Sequence, residues 1–255
     1  MRTNQVKRKL ANGEACRGVW LGLPSPFSAR LLAQLPLDWL LIDAEHSPMD
    51  VSTMAQMVAA IAETGGPAPF VRVAQASIEN MKRALDAGAY GIVAPMINTR
   101  EQAEQVVAWS KFPPEGERSF GSAYAGLSFG VSMGEYLRIA NQETVIAIQV
   151  ESKTALDNLD DLFSVPGIDL AFVGPVDLSI SLGLDPLPEN PHALFQEAIS
   201  EITAAARKHK LPLGIFCSNG AAARQRISQG FQFVNVSSDT ASLSRNALFE
   251  LEASQ

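Results

Sequence analysis

Cysteine is almost absent: Cys16 and Cys217 are the only two in 255 residues, far apart and without a CxxC or Cys/His spacing. That excludes a disulfide framework and a structural zinc site. Each thiol reads as a small buried hydrophobe, although Cys217 ends a strand-like run, LPLGIFC, where it is also placed to line a pocket mouth. Long apolar runs are missing as well. No stretch approaches the roughly 18 apolar residues a membrane helix needs, and the opening MRTNQVKRKLANGEAC lacks the apolar centre of a secretory signal. The expectation is a cytoplasmic protein with no membrane partner. Clusters of Lys and Arg are lacking too, and 20 basic against 27 acidic residues leave a formal charge of −7. Nucleic acid is therefore not the expected partner, because binding it relies on clustered cations that neutralise phosphates. Histidine is scarce, with only His46, His192 and His209.

What the chain does have is alternation. Apolar, strand-like runs occur at residues 18–23, 39–45, 68–73, 91–96, 144–151, 170–175, 211–217 and 231–236. Between them lie segments with helical periodicity: VSTMAQMVAAIAET, SIENMKRALDAG, TREQAEQVVAWSK, HALFQEAISEITAAARKHK, AAARQRISQG and ASLSRNALFELEA. Ser77 and Gly88 mark the start and stop of one of these helices. Eight strands alternating with helices predict an α/β fold, a (β/α)8 barrel occupying residues 1–255 as one domain. The hydrophobic share of 47% is ample for its core. The longest interruption, KFPPEGERSFGSAYAGLSFGVSMGEYLRIANQ, is rich in Gly, Ser and Pro and is expected to be a functional loop or lid.

Four runs end in ionisable groups: Asp43, Glu45 and His46 after WLLI, Arg72 in PAPFVRV, Glu151 in VIAIQVE and Asp177 in LAFVGPVD. If their strands are parallel neighbours, these groups converge at the carboxyl end of the sheet and build a cation site. Taken singly, Asp177 reads equally well as a helix N-cap and Glu151 as a helix-start residue. Together, on consecutive strands, they favour Mg²⁺ or Mn²⁺ with positions left open for an oxygen-rich substrate. Arg72 reads either as the partner of a barrel carboxylate or, from its position, as the group that stabilises negative charge on a bound carbonyl oxygen. Asp43 and His46, three residues apart, allow a turn that folds the carboxylate onto the imidazole as an acid/base dyad. In GPVDLS, Gly174 permits close backbone approach and Pro175 has no N–H, which leaves Val176 and Asp177 to donate amides to a substrate carboxylate.

Taken in order, GVWLGL, WLLIDAEHSP, VRV, LDAG, PPEGERS, IQVE, GPVDLS and VSSDT resemble the metal-dependent (class II) pyruvate aldolases typified by 4-hydroxy-2-oxoheptanedioate aldolase and 2-dehydro-3-deoxygalactarate aldolase. The resemblance covers nearly the whole chain. It implies a phosphoenolpyruvate/pyruvate-type barrel whose carboxyl-terminal helix is exchanged between subunits of a homo-hexamer, a trimer of dimers. It further implies Mg²⁺, Mn²⁺ or Co²⁺ on Glu151 and Asp177, with pyruvate or a hydroxypyruvate-like oxoacid chelated through its carboxylate and keto oxygens. Arg72 would face the keto or enolate oxygen, Gln149 would stand behind the metal, and Trp20, Gly174 and Val176 would line the substrate. His46, oriented by Asp43, would serve with a metal-held water as the acid/base group. The implied reaction is reversible cleavage of a 4-hydroxy-2-oxoacid to pyruvate and an aldehyde, in aromatic or sugar acid catabolism. A neighbouring subunit's aspartate is matched by Asp86 in RALDAG, which from the residues alone reads equally as a helix-end position. Three positions depart from the pattern, all expected around the substrate: Ser119 and Ser237 where the family has glycine, and Val176 where a small residue is common.

Three rivals stand beside this reading. A Schiff-base aldolase needs a lysine in the site, and the nearest, Lys153, reads as solvent-facing at a helix start. A lyase acting on a phosphorylated oxoacid or a CoA thioester is disfavoured because CSNG and VSSD lack a glycine-rich phosphate cradle. A non-catalytic oxoacid-binding protein would have no need of His46.

Overall fold

Strands buried on both faces read as continuous apolar runs rather than alternating ones, and the computed structural model, which describes residues 1–121 and 123–255, forms its sheet from such runs. The strands are β1 (Cys16–Leu21), β2 (Trp39–Asp43), β3 (Ala68–Arg72), β4 (Gly91–Ala94), β5 (Val145–Val150), β6 (Leu170–Val173), β7 (Leu213–Ile215) and β8 (Phe233–Ser238). They close into a barrel in sequence order, with β8 pairing back onto β1 and every pairing parallel. The interior is packed with rings. Trp39 stacks on Phe233 at 4.0 Å between centroids, and Gly18 on the adjacent strand makes that possible, since a Cβ there would lie 2.0 Å from the indole.

Helices α1 (Gln5–Ala11), α2 (Pro26–Leu32), α3 (Val51–Ala62), α4 (Ile78–Asp86), α5 (Arg100–Ser110), α6 (Ala123–Phe129) and α7 (Met133–Glu143) accompany the first half of the barrel. The second half carries α8 (Lys153–Asp157), α9 (Leu159–Phe163), α10 (Pro175–Ser181), α11 (Ala193–His209), α12 (Gly220–Ser228) and α13 (Asp239–Ala253). Their starts follow the side-chain chemistry of exposed helix N–H groups. Ser77 caps α4, and Thr99 with Gln102 forms a capping box on α5. Along α13 the large apolar side chains Leu243, Leu248, Phe249 and Leu251 are exposed. Among the described residues no helix is long and apolar enough to cross a membrane.

The connection between β4 and β5 corrects the expectation of a loop or lid at the site. Its described residues form α6 and α7, the latter opened by a Ser132/Glu135 capping box. Because α5 follows β4 and returns along β5, which starts at Val145, this segment lies at the amino-terminal face of the barrel, opposite the strand exits. There Phe129 stacks on Tyr90 at 4.0 Å, and buried Phe112, Tyr136, Val6 and Leu10 fill the same layer. The apolar residues scattered through the Gly- and Ser-rich stretch close the bottom of the barrel.

Candidate active site

Asp43 ends β2 and Arg72 ends β3, and the parallel register puts the two residues directly opposite each other. Arg72 donates from Nε to Asp43 Oδ1 at 2.9 Å and from Nη2 to Oδ2 at 2.6 Å, a bidentate pair with both side chains buried. Such a fork fixes the guanidinium plane as well as its charge. Trp20 of β1 donates its indole N–H to Asp43 Oδ2 at 3.1 Å, and the Arg72 guanidinium carbon stands 4.8 Å from the indole centroid. Burial pushes the Asp43 carboxyl upward, but the Arg72 hydrogen bond and charge, the Trp20 N–H and the His46 amide outweigh it and hold the carboxyl below the usual range. The third nitrogen of Arg72, Nη1, lies 3.0 Å from Glu45 Oε2. Glu45 is pushed up by burial, against the pull of Arg72 and His46, with Asp43 and Asp177 adding to the rise.

Glu151 follows β5 and Asp177 follows β6, neighbouring strands whose ends pair Val150 with Val173. Ser152 takes the N-cap of α8, so Glu151 is released from that role, and its buried carboxylate turns inward. Its Oε1 accepts from the Met96 N–H at 2.8 Å, and its Oε2 accepts from Gln149 Nε2. Asp177 sits in the first turn of α10, whose N-cap is Gly174 with no side-chain cap bond, so the capping reading of Asp177 is not realised. Gly174 leaves room for the carboxylate beside it: a Cβ there would lie 2.3 Å from Glu151 Oε2.

Burial drives the Glu151 carboxyl up to about 7; the Met96 and Gln149 donors oppose this and the charges of Asp177 and Glu45 add to it. Acidic groups held together against their own repulsion, with hard oxygen donors, suit Mg²⁺ or Mn²⁺. The buried Gln149 Oε1, which has no hydrogen-bond partner, is a further acceptor beside them. Among the described residues no set of three or more His, Cys, Asp or Glu is arranged to hold a metal. Two carboxylates would leave the rest of an octahedral shell to water and substrate oxygens.

This geometry corrects some expectations and meets others. The turn after Asp43 forms, but its carboxylate accepts the backbone N–H groups of Glu45 and His46 at 3.1 and 3.2 Å rather than meeting the imidazole. A guanidinium already occupies both oxygens. The His46 ring is largely exposed, and its nearest carboxylate is Glu45, 3.7 Å away. Asp86 ends α4 at the amino-terminal face, where it pairs with buried Arg118 at 2.8 Å. Ser119 adjoins that pair and does not surround this chain's own strand exits, whereas Val176 and Ser237 do. Lys153 pairs with Asp157 at 2.8 Å with its side chain 64% exposed, away from the buried groups. Cys217 is buried, which lifts its thiol to about 12. Sequence reasoning counted Glu45 among the ionisable strand exits but did not foresee its pairing with Arg72. It missed Met96 entirely, because nothing in PMIN announces a backbone donor.

The comparisons with known proteins agree with this architecture. The model of the HpcH/HpaI aldolase/citrate lyase family matches residues 17–246. The chain is 39% identical over 244 residues to the hydroxypyruvate/pyruvate aldolase of Rhizorhabdus wittichii, covering 96% of each chain. It is 39% identical over 246 residues to the 4-hydroxy-2-oxo-heptane-1,7-dioate aldolase of Salmonella typhimurium, covering 96% of this chain and 92% of that one. Among solved structures, a HpcH/HpaI aldolase/citrate lyase family protein from Burkholderia cenocepacia is similar with a TM-score of 0.90 and 36% identity, over 98% of this chain and 99% of that one. A match of that extent is membership: the chain belongs to the HpcH/HpaI aldolase/citrate lyase family and is a carbon–carbon lyase.

Proposed function

We propose that this enzyme reversibly cleaves 4-hydroxy-2-oxoacids to pyruvate, or a hydroxypyruvate-like oxoacid, and an aldehyde, with Glu151 and Asp177 holding Mg²⁺ or Mn²⁺ and Co²⁺ as a third candidate. The observation that carries the reading is the meeting, at one barrel end, of a buried guanidinium fixed by Asp43 and a buried carboxylate beside Asp177. When bound, the cation supplies Lewis-acid polarisation of the oxoacid carbonyl. Arg72 faces the keto oxygen and takes up the negative charge that develops there, and because Asp43 already holds its plane, little reorganisation accompanies the reaction. The backbone amides of Val176 and Asp177 hold the substrate carboxylate, with Trp20 and Gly174 as walls and Gln149 bracing Glu151. His46 takes the proton of the C4 hydroxyl; the C3–C4 bond then breaks, its electrons pass into the pyruvate enolate, and a proton returns to C3 after the aldehyde leaves.

The assembly in this reading is a homo-hexamer with α13 exchanged between subunits. Its exposed leucines and Phe249 support a partner on that helix. Asp86, remote from its own chain's strand exits, would then act on the site of a neighbouring subunit. This reading assigns the enzyme to the cytoplasm and to aromatic or sugar acid catabolism. The exposed ion pair of Lys153 supports metal over imine chemistry. The test is deuterium incorporation into the pyruvate methyl group, followed by proton NMR on chelator-stripped protein with and without Mn²⁺. Exchange only with metal is the expected result, and exchange that ignores the metal would overturn the reading.

A further inference from the structure

Met96 is one of two non-glycine residues among those described with a positive φ, at +55°. The other, Lys210, closes α11 as a left-handed C-cap, an ordinary use of that conformation. Met96 closes no helix. It follows β4 by two positions at the carboxyl end of the barrel and is 48% exposed. A residue with a Cβ is disfavoured in this region and persists there only where its surroundings hold it.

A side-chain network centred on Asn98 does so here. The Met96 carbonyl accepts from Asn98 Nδ2 at 3.1 Å. Asn98 accepts the Ser152 hydroxyl on its side-chain oxygen and the Asn158 side-chain amide on its carbonyl, the latter at 2.8 Å. The turn after β4 is thereby locked to the exit of β5, where Glu151 lies. In that setting the Met96 N–H donates to Glu151 Oε1 at 2.8 Å.

We infer that Met96 is a positioning residue for the cation site: its left-handed backbone aims an N–H at Glu151 Oε1 and so turns that carboxylate's remaining lone pairs toward the space it shares with Asp177. The inference rests on Glu151 and Asp177 holding the cation. The thioether has no part in it; the conformation of the main chain does.

The test is Mn²⁺ titration by isothermal calorimetry on the full-length, chelator-stripped protein, with thermal unfolding in EDTA recorded alongside. Wild type is compared with Met96→Gly, Met96→Asn, Met96→Val and Glu151→Gln. Glycine and asparagine accept the left-handed region, so Met96→Gly and Met96→Asn are expected to keep Mn²⁺ affinity within about threefold of wild type. A β-branched side chain resists it, and Met96→Val is expected to bind about tenfold more weakly. If Met96→Val does not fold, Met96→Ala takes its place and is expected to weaken binding in the same direction. Equal weakening by all Met96 variants would assign the role to the side chain, and no weakening by any would assign none; either result overturns the inference while the cation site stands. If wild type does not bind Mn²⁺, or Glu151→Gln binds it as tightly, the cation reading fails and the inference falls with it.

Discussion

One guanidinium occupies both oxygens of the Asp43 carboxylate: Arg72 reaches Oδ1 through Nε at 2.9 Å and Oδ2 through Nη2 at 2.6 Å. The pair is buried at the strand exits, so Asp43 is committed to holding Arg72 and not to holding the imidazole of His46.

Asp43→Asn removes that charge from a buried guanidinium, leaving Glu45 as the acidic partner. A loss of about 3 kcal/mol is expected, the order found when one member of a buried pair is removed, and urea unfolding measures it. The same pair sets an acid limit. The folded-state value of Asp43 lies below its unfolded value, so its contribution is complete above the usual carboxylate range and fades as pH falls through the folded value. Wild-type stability would then fall more steeply in acid than that of Asp43→Asn; parallel curves would refute the linkage.

Glu151 has the opposite sign. Its carboxyl in the metal-free protein stands near 7, above its unfolded value, so the folded chain binds the extra proton and loses stability as pH rises from about 4.5 toward 7. That loss is on the order of 3 kcal/mol at 1.36 kcal/mol per unit. Melting in EDTA is expected to drop across this window in wild type and to stay flatter in Glu151→Gln. In the proposed site the cation binds the ionised Glu151 carboxylate, so Mn²⁺ binding is expected to release a proton below pH 7 and to tighten as pH rises. Buffer-dependent calorimetry reads both, and proton-independent binding would show that Glu151 is not a ligand.

In the proposed mechanism, Arg72→Ala removes the donor that faces the developing enolate oxygen. The expected loss is about 100-fold in the rate of pyruvate methyl exchange, corresponding to about 3 kcal/mol by analogy with one oxyanion-hole donor. Arg72→Lys is expected to restore only part of it, since an ammonium cannot reproduce the fork on Asp43. Exchange at the wild-type rate in Arg72→Ala would count against the assignment.

Asp86 and His46 lie toward opposite faces of one barrel, so an aspartate acting across a subunit boundary makes a prediction that a helix-end residue does not. His46→Ala and Asp86→Ala are each expected to lose retro-aldol turnover. Mixed oligomers assembled by refolding the two together are expected to regain it, because some sites then carry both side chains. Mixtures no more active than either parent would return Asp86 to its structural pairing with Arg118.

The barrel was legible from residues alone because strands buried on both faces must be apolar throughout, as WLLID and VIAIQV are. The aldolase resemblance, carried by short ordered segments, is borne out by the family match. The ionisable exits were equally legible, since a charged side chain is seldom buried at the end of an apolar strand unless a partner or a ligand meets it there. Other features depended on which groups the fold brings within a few ångströms. Asp43 belongs to Arg72 rather than to the imidazole because a neighbouring strand delivers a guanidinium in register. The segment between β4 and β5 seals the amino-terminal face because its scattered aromatics meet Tyr90, a contact no local pattern encodes. Met96 offers its N–H to Glu151 only because a network centred on Asn98 holds a left-handed turn. Local sequence determined the strands, the helix starts and the identity of the charged groups; tertiary structure decided their partners, because pairing depends on register across strands far apart in the chain.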